Sequence, residues 1–169
     1  GDYWVFLEVN EGSYGGRPRS DGPDSIDALM ANTRNNPLED LAMHLPMICD
    51  RYELRDDAMP GAGRQRGGFG VVKAQRLLGD GYITHENERH EDPPWGIFGG
   101  QPGATGRVEI FNIADPTKRT EMPAKFSQMR VREGDVHVFY GPCGGGYGEP
   151  LERPAEKVLE DVLDDFCTP

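Results

Sequence analysis

Clustered glycines limit what this chain can fold into more than any other feature of its sequence. Glycine occupies 23 of 169 positions, well above the usual fraction of about 7%. Most of these glycines lie in four clusters, at residues 12–16, 61–70, 96–106 and 141–148. Each cluster follows or precedes an apolar run, so the chain is not of low complexity. Glycine at such places permits positive φ angles or close approach of two backbones, and we expect tight loops between strands.

Seven apolar or alternating runs predict β strands between these loops. They are residues 3–9, 47–54, 69–78, 82–88, 108–113, 125–131 and 136–140. The Gly79-Asp80-Gly81 triplet predicts a hairpin that pairs the third run with the fourth. Because the first run begins almost at Gly1, it indicates either missing upstream sequence or a cleavage scar, since strands need neighbours to pair with.

Three segments predict helices. A first short helix begins at Asp24 or Ser25, and a second covers residues 38–44 between two prolines. The third, residues 155–166, carries its apolar residues on one stripe, so we expect it to pack against the rest of the fold. Together these elements predict a single α+β, mainly β domain over residues 1–169. It should contain mixed or antiparallel sheets, short helices and one C-terminal amphipathic helix.

The charge and the cysteines exclude several classes of protein. A net charge of −11 argues against nucleic acid and anionic membrane surfaces as partners. No stretch approaches the roughly 20 apolar residues that span a bilayer. The three cysteines, Cys49, Cys143 and Cys167, have neither metal-binding nor disulfide-framework spacing. Reduced thiols in a cytoplasmic protein are the simplest interpretation.

Two polar loops combine arginine or amide side chains with turn residues, at positions 32–36 and 63–68. Arginine forks suit carboxylate and phosphate groups, so either loop is a candidate for contact with substrate or with a neighbouring subunit. The candidate residues are Asn32, Arg34, Asn35, Arg64 and Arg66. The alternative is structural, with these side chains tying turns to backbone carbonyls.

One stretch, residues 85–92, is rich in possible metal ligands. On a strand, Glu86, Glu88 and His90 share one face and are candidates to bind a single cation. The alternative, which we favour, is a solvated strand end. The sequence has no GxxxxGK[ST] phosphate-binding motif, and no Ser/His/Asp set has a recognisable spacing.

Six sequence blocks occur in an order that resembles one known family. They are NEGSYGG (10–16), NTRNNPLE (32–39), RYELR (51–55), GAGRQRGG (61–68), PPWGIFGG (93–100) and GGGYGEPLER (144–153). This order resembles the hydantoinase B/oxoprolinase family, the B-type subunits of hydantoinases, 5-oxoprolinases, lactamases and acetone or acetophenone carboxylases. The chain looks like the C-terminal segment of such a subunit.

The resemblance implies a role in a multisubunit enzyme. In the family, an ATP-binding A-type partner phosphorylates an oxygen of the substrate, and the B-type part completes the reaction. The resemblance therefore implies a C-terminal fragment or split subunit of an ATP-dependent cyclic-amide hydrolase, acting on a hydantoin, oxoproline or lactam. Part of an ATP-dependent ketone carboxylase is the first alternative, and a non-catalytic structural or binding domain is the second.

The same resemblance implies where the cofactors and partners lie. ATP and a divalent metal ion are expected in the whole complex but outside this chain, because no position here matches the family's His/Asp metal site. No catalytic residue is carried over from the family. The implied partners are an upstream hydantoinase B-like chain and a hydantoinase A-like ATP-binding subunit.

Overall fold

Two antiparallel sheets make up most of the regular structure. The computed structural model describes residues 4–10, 12–26 and 34–168. Its elements, in chain order, are α1 (Leu38–His44), β1 (Met47–Leu54), β2 (Val71–Leu77), β3 (Gly81–Glu86), β4 (Arg107–Asn112), β5 (Asp115–Met122), β6 (Lys125–Val131), β7 (Asp135–Tyr140), the 3-10 turn η1 (Pro150–Glu152) and α2 (Ala155–Leu163). Within these described ranges, no helix has the length and apolar character needed to cross a bilayer.

The larger sheet has the strand order β1-β2-β7-β4-β5, and the smaller sheet consists of β3 and β6. Every strand pairing within the two sheets is antiparallel. With two α-helices beside these strands, the predicted α+β, mainly β class is confirmed. The predicted bounds of α1, β1 and β6 are also those of the structure.

The predicted hairpin between residues 69–78 and 82–88 is wrong. Strand β3 pairs with β6, from Gly81 opposite Val131 to Glu86 opposite Lys125. Both edges of β2 are already occupied, by β1 and β7. Crossing to a second sheet also lets Ile83 pack against the buried cluster around Leu77, which a hairpin in the plane of the first sheet would not allow.

The prediction of a buried strand at residues 3–9 is also wrong where the structure describes that segment. Residues 4–9 belong to neither sheet, and their burial alternates along the chain. Trp4 and Phe6 pack against the cluster around Leu77, whereas Val5 and Leu7 face outward. Residues 27–33, which include most of the helix predicted from Asp24 or Ser25, lie outside the described residues.

Apolar residues fill both faces of the larger sheet. Between the sheets lie two clusters, of Met47, Leu77 and Val131, and of Val71, Val108 and Phe139. Because alternate residues of a strand point to opposite faces, the cluster of Val72, Ala74, Val136, Val138 and Tyr140 lies on the outer face. Arginines lie over the aromatic rings of that outer face, Arg107 at 3.6 Å from the Tyr140 ring centre and Arg119 at 4.2 Å from that of Phe111.

Helix α2 leaves much of its predicted apolar stripe uncovered. It begins at Ala155, as the sequence predicts, but Val158, Leu159 and Leu163 are exposed to solvent. The helix is held by a polar residue instead, because Asp161 accepts hydrogen bonds from Arg66 at 3.1 Å and Arg153 at 2.7 Å. Phe166, at the end of the predicted stripe, packs on Phe69 with ring centres 4.9 Å apart. The prediction that this stripe packs into the fold is therefore confirmed at Phe166 and wrong at Val158, Leu159 and Leu163.

The glycine clusters form loops that contact one another backbone to backbone. The Gly61 N–H donates to the Gly144 carbonyl at 2.8 Å, and the Gly144 N–H donates to the Gly68 carbonyl at 2.9 Å. The Gly68 N–H in turn donates to the Tyr14 carbonyl at 2.9 Å. A Cβ atom built on Gly67 would lie 1.9 Å from the Gly144 carbonyl oxygen, a separation that no packed atom tolerates. These loops therefore pack at distances that only glycine permits.

We predict that Gly67→Ala lowers the free energy of unfolding by at least about 3 kcal/mol, because the new methyl group would push two hydrogen-bonded backbones apart. Thermal and denaturant unfolding of the purified chain, in whatever assembly it is produced, would measure the loss. Gly79→Ala is the matched control, since a Cβ there meets no atom of the described residues within 4 Å. Its effect should stay within about 0.5 kcal/mol, and equal effects of the two substitutions would contradict the packing argument.

Candidate functional site

Of the two arginines in the 63–68 loop, Arg66 lies in the interior of a polar network. Its guanidinium donates to Asp24 at 2.9 Å and to Asp161 at 3.1 Å. It also lies between two aromatic rings, 5.2 Å from the ring centre of Phe69 and 4.9 Å from that of Phe166. Arg66 thus joins the loop to α2 and has little surface left for a ligand.

Arg64 has a different position at the surface. Its guanidinium lies 6.0 Å from the Tyr147 ring centre and forms a long ion pair, 4.0 Å, with Glu152. With 42% of its side chain exposed, Arg64 can still reach a partner or a substrate. Contact through Arg64 stays a prediction, and its geometry is compatible with it.

The 32–36 loop is only partly described, because Asn32 lies outside the described residues. Arg34 and Asn35 are exposed, and the Asn35 amide donates to the Tyr52 hydroxyl. Both residues line a surface depression of about 200 Å³ whose other wall includes Phe6 and Leu7. The structure therefore places this loop beside the segment at residues 4–10, and not beside Arg64.

Of the three metal-ligand candidates, Glu88 and His90 line one surface depression, but both are already bonded to other side chains. Glu88 forms an ion pair with Lys125 at 2.6 Å, the ring of His90 is hydrogen-bonded to Asn87 at 2.8 Å, and Glu86 is exposed. In residues 4–10, 12–26 and 34–168, no group of three or more His, Cys, Asp or Glu side chains is arranged to hold a metal ion. Metal binding at this strand end stays a prediction from the sequence.

Cys143 is fully buried at the base of the glycine loops. Its Sγ accepts a hydrogen bond from the Gly70 N–H at 3.4 Å, and burial raises the pKa of the thiol. A buried thiol that is protonated at neutral pH is a poor nucleophile, so the geometry supports a packing role for this side chain.

A cavity between the two sheets contains polar residues that were not predicted from the sequence. It has a volume of about 160 Å³ and is lined by both sheets and by residues 4–10. We call it the intersheet cavity. Its apolar walls are formed by Trp4, Phe6, Leu77 and Tyr82, and its polar lining includes Glu8, Asn10, Gln75, His85 and His137.

Glu8 is the anchor of residues 4–10 on the sheet. Its carboxylate accepts hydrogen bonds from the ammonium of Lys73 and, at 3.0 Å, from the amide of Gln75. Lys73 is 1% exposed and its ammonium also lies 4.6 Å from the ring centre of Tyr52. A charge buried this deeply requires a partner of opposite charge, which Glu8 supplies. The charges of Glu8 and Lys73 in the cavity wall therefore neutralise each other.

Two histidines lie side by side in the cavity. The ring centres of His85 on β3 and His137 on β7 are 5.2 Å apart, and His85 also stacks on Phe126 at 5.4 Å. Within the part of the chain that the structure describes, the Nε2 atoms of both histidines are buried without a hydrogen-bond partner. Burial lowers the pKa of both rings, to about 4 for His137, with a further contribution to His137 from repulsion by His85. Both imidazoles are therefore neutral at neutral pH.

The sequence contained a signal for this cavity. Lys73 and Gln75 interrupt the apolar run 69–78, and His137 interrupts the run 136–140. Polar side chains at buried strand positions need partners, so such interruptions indicate either a buried ion pair or a site. The register then places Gln75 directly opposite His137 on the neighbouring strand, which no pattern in the sequence specifies.

The fold of the chain matches segments of two larger solved enzymes. The ATP-dependent caprolactamase from Pseudomonas jessenii has a TM-score of 0.74 and 21% identity, over 90% of this chain and 27% of that chain. Nucleotide-free acetone carboxylase has a TM-score of 0.71 and 18% identity, over 87% of this chain and 24% of that chain. At these identities the likeness shows a common fold.

Sequence comparison supplies the family. The family model for hydantoinase B/oxoprolinase matches residues 1–150. A putative D-/L-hydantoinase B-type subunit from Pseudomonas sp. (strain NS671) is 45% identical over 99% of this chain, and the match spans 28% of that relative. The chain belongs to the hydantoinase B/oxoprolinase family, which confirms the resemblance seen in its six sequence blocks.

We predict that Arg66→Ala destabilises the chain by about 2–4 kcal/mol, because it leaves the carboxylates of Asp24 and Asp161 without this cation. Arg64→Ala should change the free energy of unfolding by less than about 1 kcal/mol, since its ion pair is long and exposed. Chemical unfolding of both variants tests the difference. If Arg64→Ala were the more destabilising change, the assignment of the two roles would be reversed.

The lowered pKa of His137 predicts a pH dependence of stability. Between the unfolded pKa of about 6.5 and the folded value of about 4, the unfolded chain binds more protons than the folded chain. The free energy of unfolding should therefore fall as pH drops through this window, by up to about 1.4 kcal/mol per pH unit for one group. His137→Phe should flatten the fall measured by urea unfolding at several pH values. Met43→Gln, a change on an exposed helix residue without a titratable side chain, should leave the profile unaltered.

Proposed function

We propose that this chain is the C-terminal segment or a split subunit of an ATP-dependent cyclic-amide hydrolase complex. The observation that supports this most strongly is the 45% identity to a putative hydantoinase B-type subunit along nearly the whole chain. Because the chain spans only 28% of that relative, we propose a supporting role, in which residues 1–169 form one domain that closes an active site completed by other segments.

The cofactors of such an enzyme fit poorly on this chain. The described residues offer no three-ligand group for a metal ion, and the sequence has no GxxxxGK[ST] motif for phosphate. We therefore propose that ATP binds to a hydantoinase A-like subunit, and that a divalent metal ion binds to an upstream hydantoinase B-like chain.

Two exposed apolar surfaces support assembly with these partners. The first, the N-terminal apolar edge, consists of Val5, Leu7 and Val9 on the outward face of residues 4–10. The second, the α2 apolar face, consists of Val158, Leu159 and Leu163. Leu7 is 84% exposed and Leu163 is 73% exposed. Contiguous exposed apolar side chains are typical of surfaces that other protein segments cover.

Two other functions use the same scaffold. The fold shared with acetone carboxylase favours an ATP-dependent ketone carboxylase as the second candidate. A non-catalytic structural or binding domain is the third. The higher sequence identity lies with the hydantoinase relative, which is why we rank the hydrolase first.

Reconstitution tests the proposal directly. The chain would be co-expressed with an upstream hydantoinase B-like chain and a hydantoinase A-like subunit, and ADP release would be measured with hydantoin, 5-oxoproline or caprolactam. We expect a cyclic amide to stimulate ADP release and to be opened to its linear acid. Stimulation of ADP release by acetone with bicarbonate, and by no cyclic amide, would favour the carboxylase. If neither kind of substrate stimulates ADP release, the non-catalytic domain would be favoured.

A surface variant tests the assembly part of the proposal. Leu7→Ser should weaken retention of the chain in the purified complex by about tenfold, the effect of losing one well-packed interface side chain. Met43→Ser is the control, because Met43 is comparably exposed but belongs to neither apolar surface. Equal retention of the two variants would contradict a docking role for the N-terminal apolar edge.

A further inference from the structure

Residues 4–10 have the alternating burial of a β strand, although they belong to neither sheet. The even-numbered residues are partly buried, whereas the odd-numbered residues between them are exposed. Burial of every second residue is the pattern of an extended strand with one face on a core. The inward face is held by the packing of Trp4 and Phe6 on the apolar core and by the ion pair between Glu8 and Lys73. The segment is thus fixed through its side chains.

The backbone of this segment is not fixed in the same way. Within the part of the chain that the structure describes, residues 4–10 neither donate nor accept a hydrogen bond to another backbone group. The backbones of Tyr14 and Gly16, a few positions further along, already do. Backbone N–H and C=O groups of a strand normally pair with a neighbouring strand, and an unpaired strand edge is a template for another one.

A surface depression runs along one backbone edge of the segment. It has a volume of about 200 Å³, and the consecutive residues 6–9 line it. Because successive side chains of a strand point to opposite faces, a space lined by consecutive residues lies beside the backbone edge. The exposed residues Arg34, Asn35 and Asn36 form its opposite wall. We call this space the edge depression.

We propose that residues 6–9 pair through their backbone with an extended strand that lies in the edge depression, and that this strand belongs to the upstream part of a hydantoinase B-type chain. The inference specifies how a partner covers the N-terminal apolar edge, and it rests on the proposed function only for the identity of that chain. In strand addition of this kind, main-chain hydrogen bonds give affinity and alternate side chains give specificity.

The side chains around the edge depression define the composition of the added strand. Leu7, which is 84% exposed, and Val9 lie on the outward face of the segment. A paired strand places its own side chains about 5 Å from such residues, so apolar residues at alternate positions would cover them. Arg34 lies on the far wall, and its guanidinium suits a carboxylate. The expected strand therefore combines alternating apolar residues with at least one acidic residue.

Two observations favour upstream polypeptide over a second copy of this chain as the source of the strand. The match to the hydantoinase relative spans 28% of that relative, so most of such a subunit is polypeptide outside the match. A strand supplied by the same subunit has a high effective concentration at the edge depression. A second copy, by contrast, carries the same net charge of −11, and the two copies repel each other.

Amide hydrogen exchange tests the backbone pairing. The full chain would be co-expressed with an upstream hydantoinase B-like chain, and exchange at residues 5–9 of the purified complex would be measured one amide at a time. Alternate N–H groups of a strand point to opposite edges, so we expect every second amide to exchange at least about 100-fold more slowly than its neighbours. The neighbouring amides are the internal reference, so the comparison does not require the chain on its own.

A charge reversal tests the far wall of the edge depression. Arg34→Glu should raise the Kd for the upstream chain by at least about tenfold, because the new carboxylate repels the acidic residue of the added strand. Lys118→Glu is the matched control, since the Lys118 side chain is an 84% exposed cation on β5, at the edge of the larger sheet. It should leave the Kd unchanged.

Four results would overturn the inference. They are a failure of the upstream chain to bind, exchange at one uniform rate across residues 5–9 of the complex, an unchanged Kd for Arg34→Glu, and alternate protection in a dimer of this chain alone. The last would assign the edge depression to a second copy.

The exchange measurement also separates this inference from the proposed function. A complex that opens cyclic amides without alternate protection of residues 5–9 refutes only the inference. Alternate protection in a complex that opens no cyclic amide refutes only the proposed function.

Discussion

Contact between glycine backbones at one end of the larger sheet holds the rest of this structure in place. Because neighbouring strands are antiparallel, the end of β1, the start of β2, the end of β7 and the start of β4 all lie at the same end of the sheet. The loops at residues 61–70, 96–106 and 141–148 therefore leave or enter the sheet side by side. Any side chain larger than a hydrogen atom would separate them, as at Gly67, so the glycines are a geometric requirement of the topology.

The same loops fix segments that have no sheet of their own. The backbones of Tyr14 and Gly16 are hydrogen-bonded to the 61–70 and 141–148 loops, and Ser25 donates to the Phe69 carbonyl at 2.8 Å. The Arg66 side chain then connects the 61–70 loop to α2 by donating a hydrogen bond to Asp161. Segments from near the start and near the end of the chain are thus fastened to one glycine-lined end of the sheet, by backbone hydrogen bonds and a few buried ion pairs.

The sequence predicted those parts of the fold in which one face of a segment is buried. Strands β1 and β6 and helix α1 have the predicted bounds because turn residues or prolines flank them. Strand β5 was missed because nearly all of its side chains are exposed at the edge of the sheet, so it has no apolar period. The Gly79-Asp80-Gly81 turn was identified, but the strand that pairs with β3 was not. Turn residues do not reveal that both edges of β2 are already paired.

The candidate site was less predictable, for a physical reason. The arginines of the 63–68 loop suggest a binding site in the sequence, but Arg66 forms ion pairs within the chain. Lys73 and His137 lie within apolar runs, where a single polar residue does not by itself indicate a site. Their importance depends on strand register and on the segment at residues 4–10, which brings Glu8 to Lys73 across 65 positions of the chain. Contacts between segments so distant in sequence have no local signal.

The two ends of the larger sheet therefore have different capacities for function. At the glycine end, the backbones lie so close that only glycine fits between them, and this end is suited to rigid support. Toward the other end, where Met47 pairs with Leu77, the smaller sheet covers the larger one and leaves the intersheet cavity, which is lined in part by His85 and His137. Residues 4–10 close that cavity with one face and present Val5, Leu7 and Val9 to the exterior with the other. A segment that docks on the N-terminal apolar edge would thus bear directly on the wall of the cavity, which the Glu8–Lys73 ion pair holds in place.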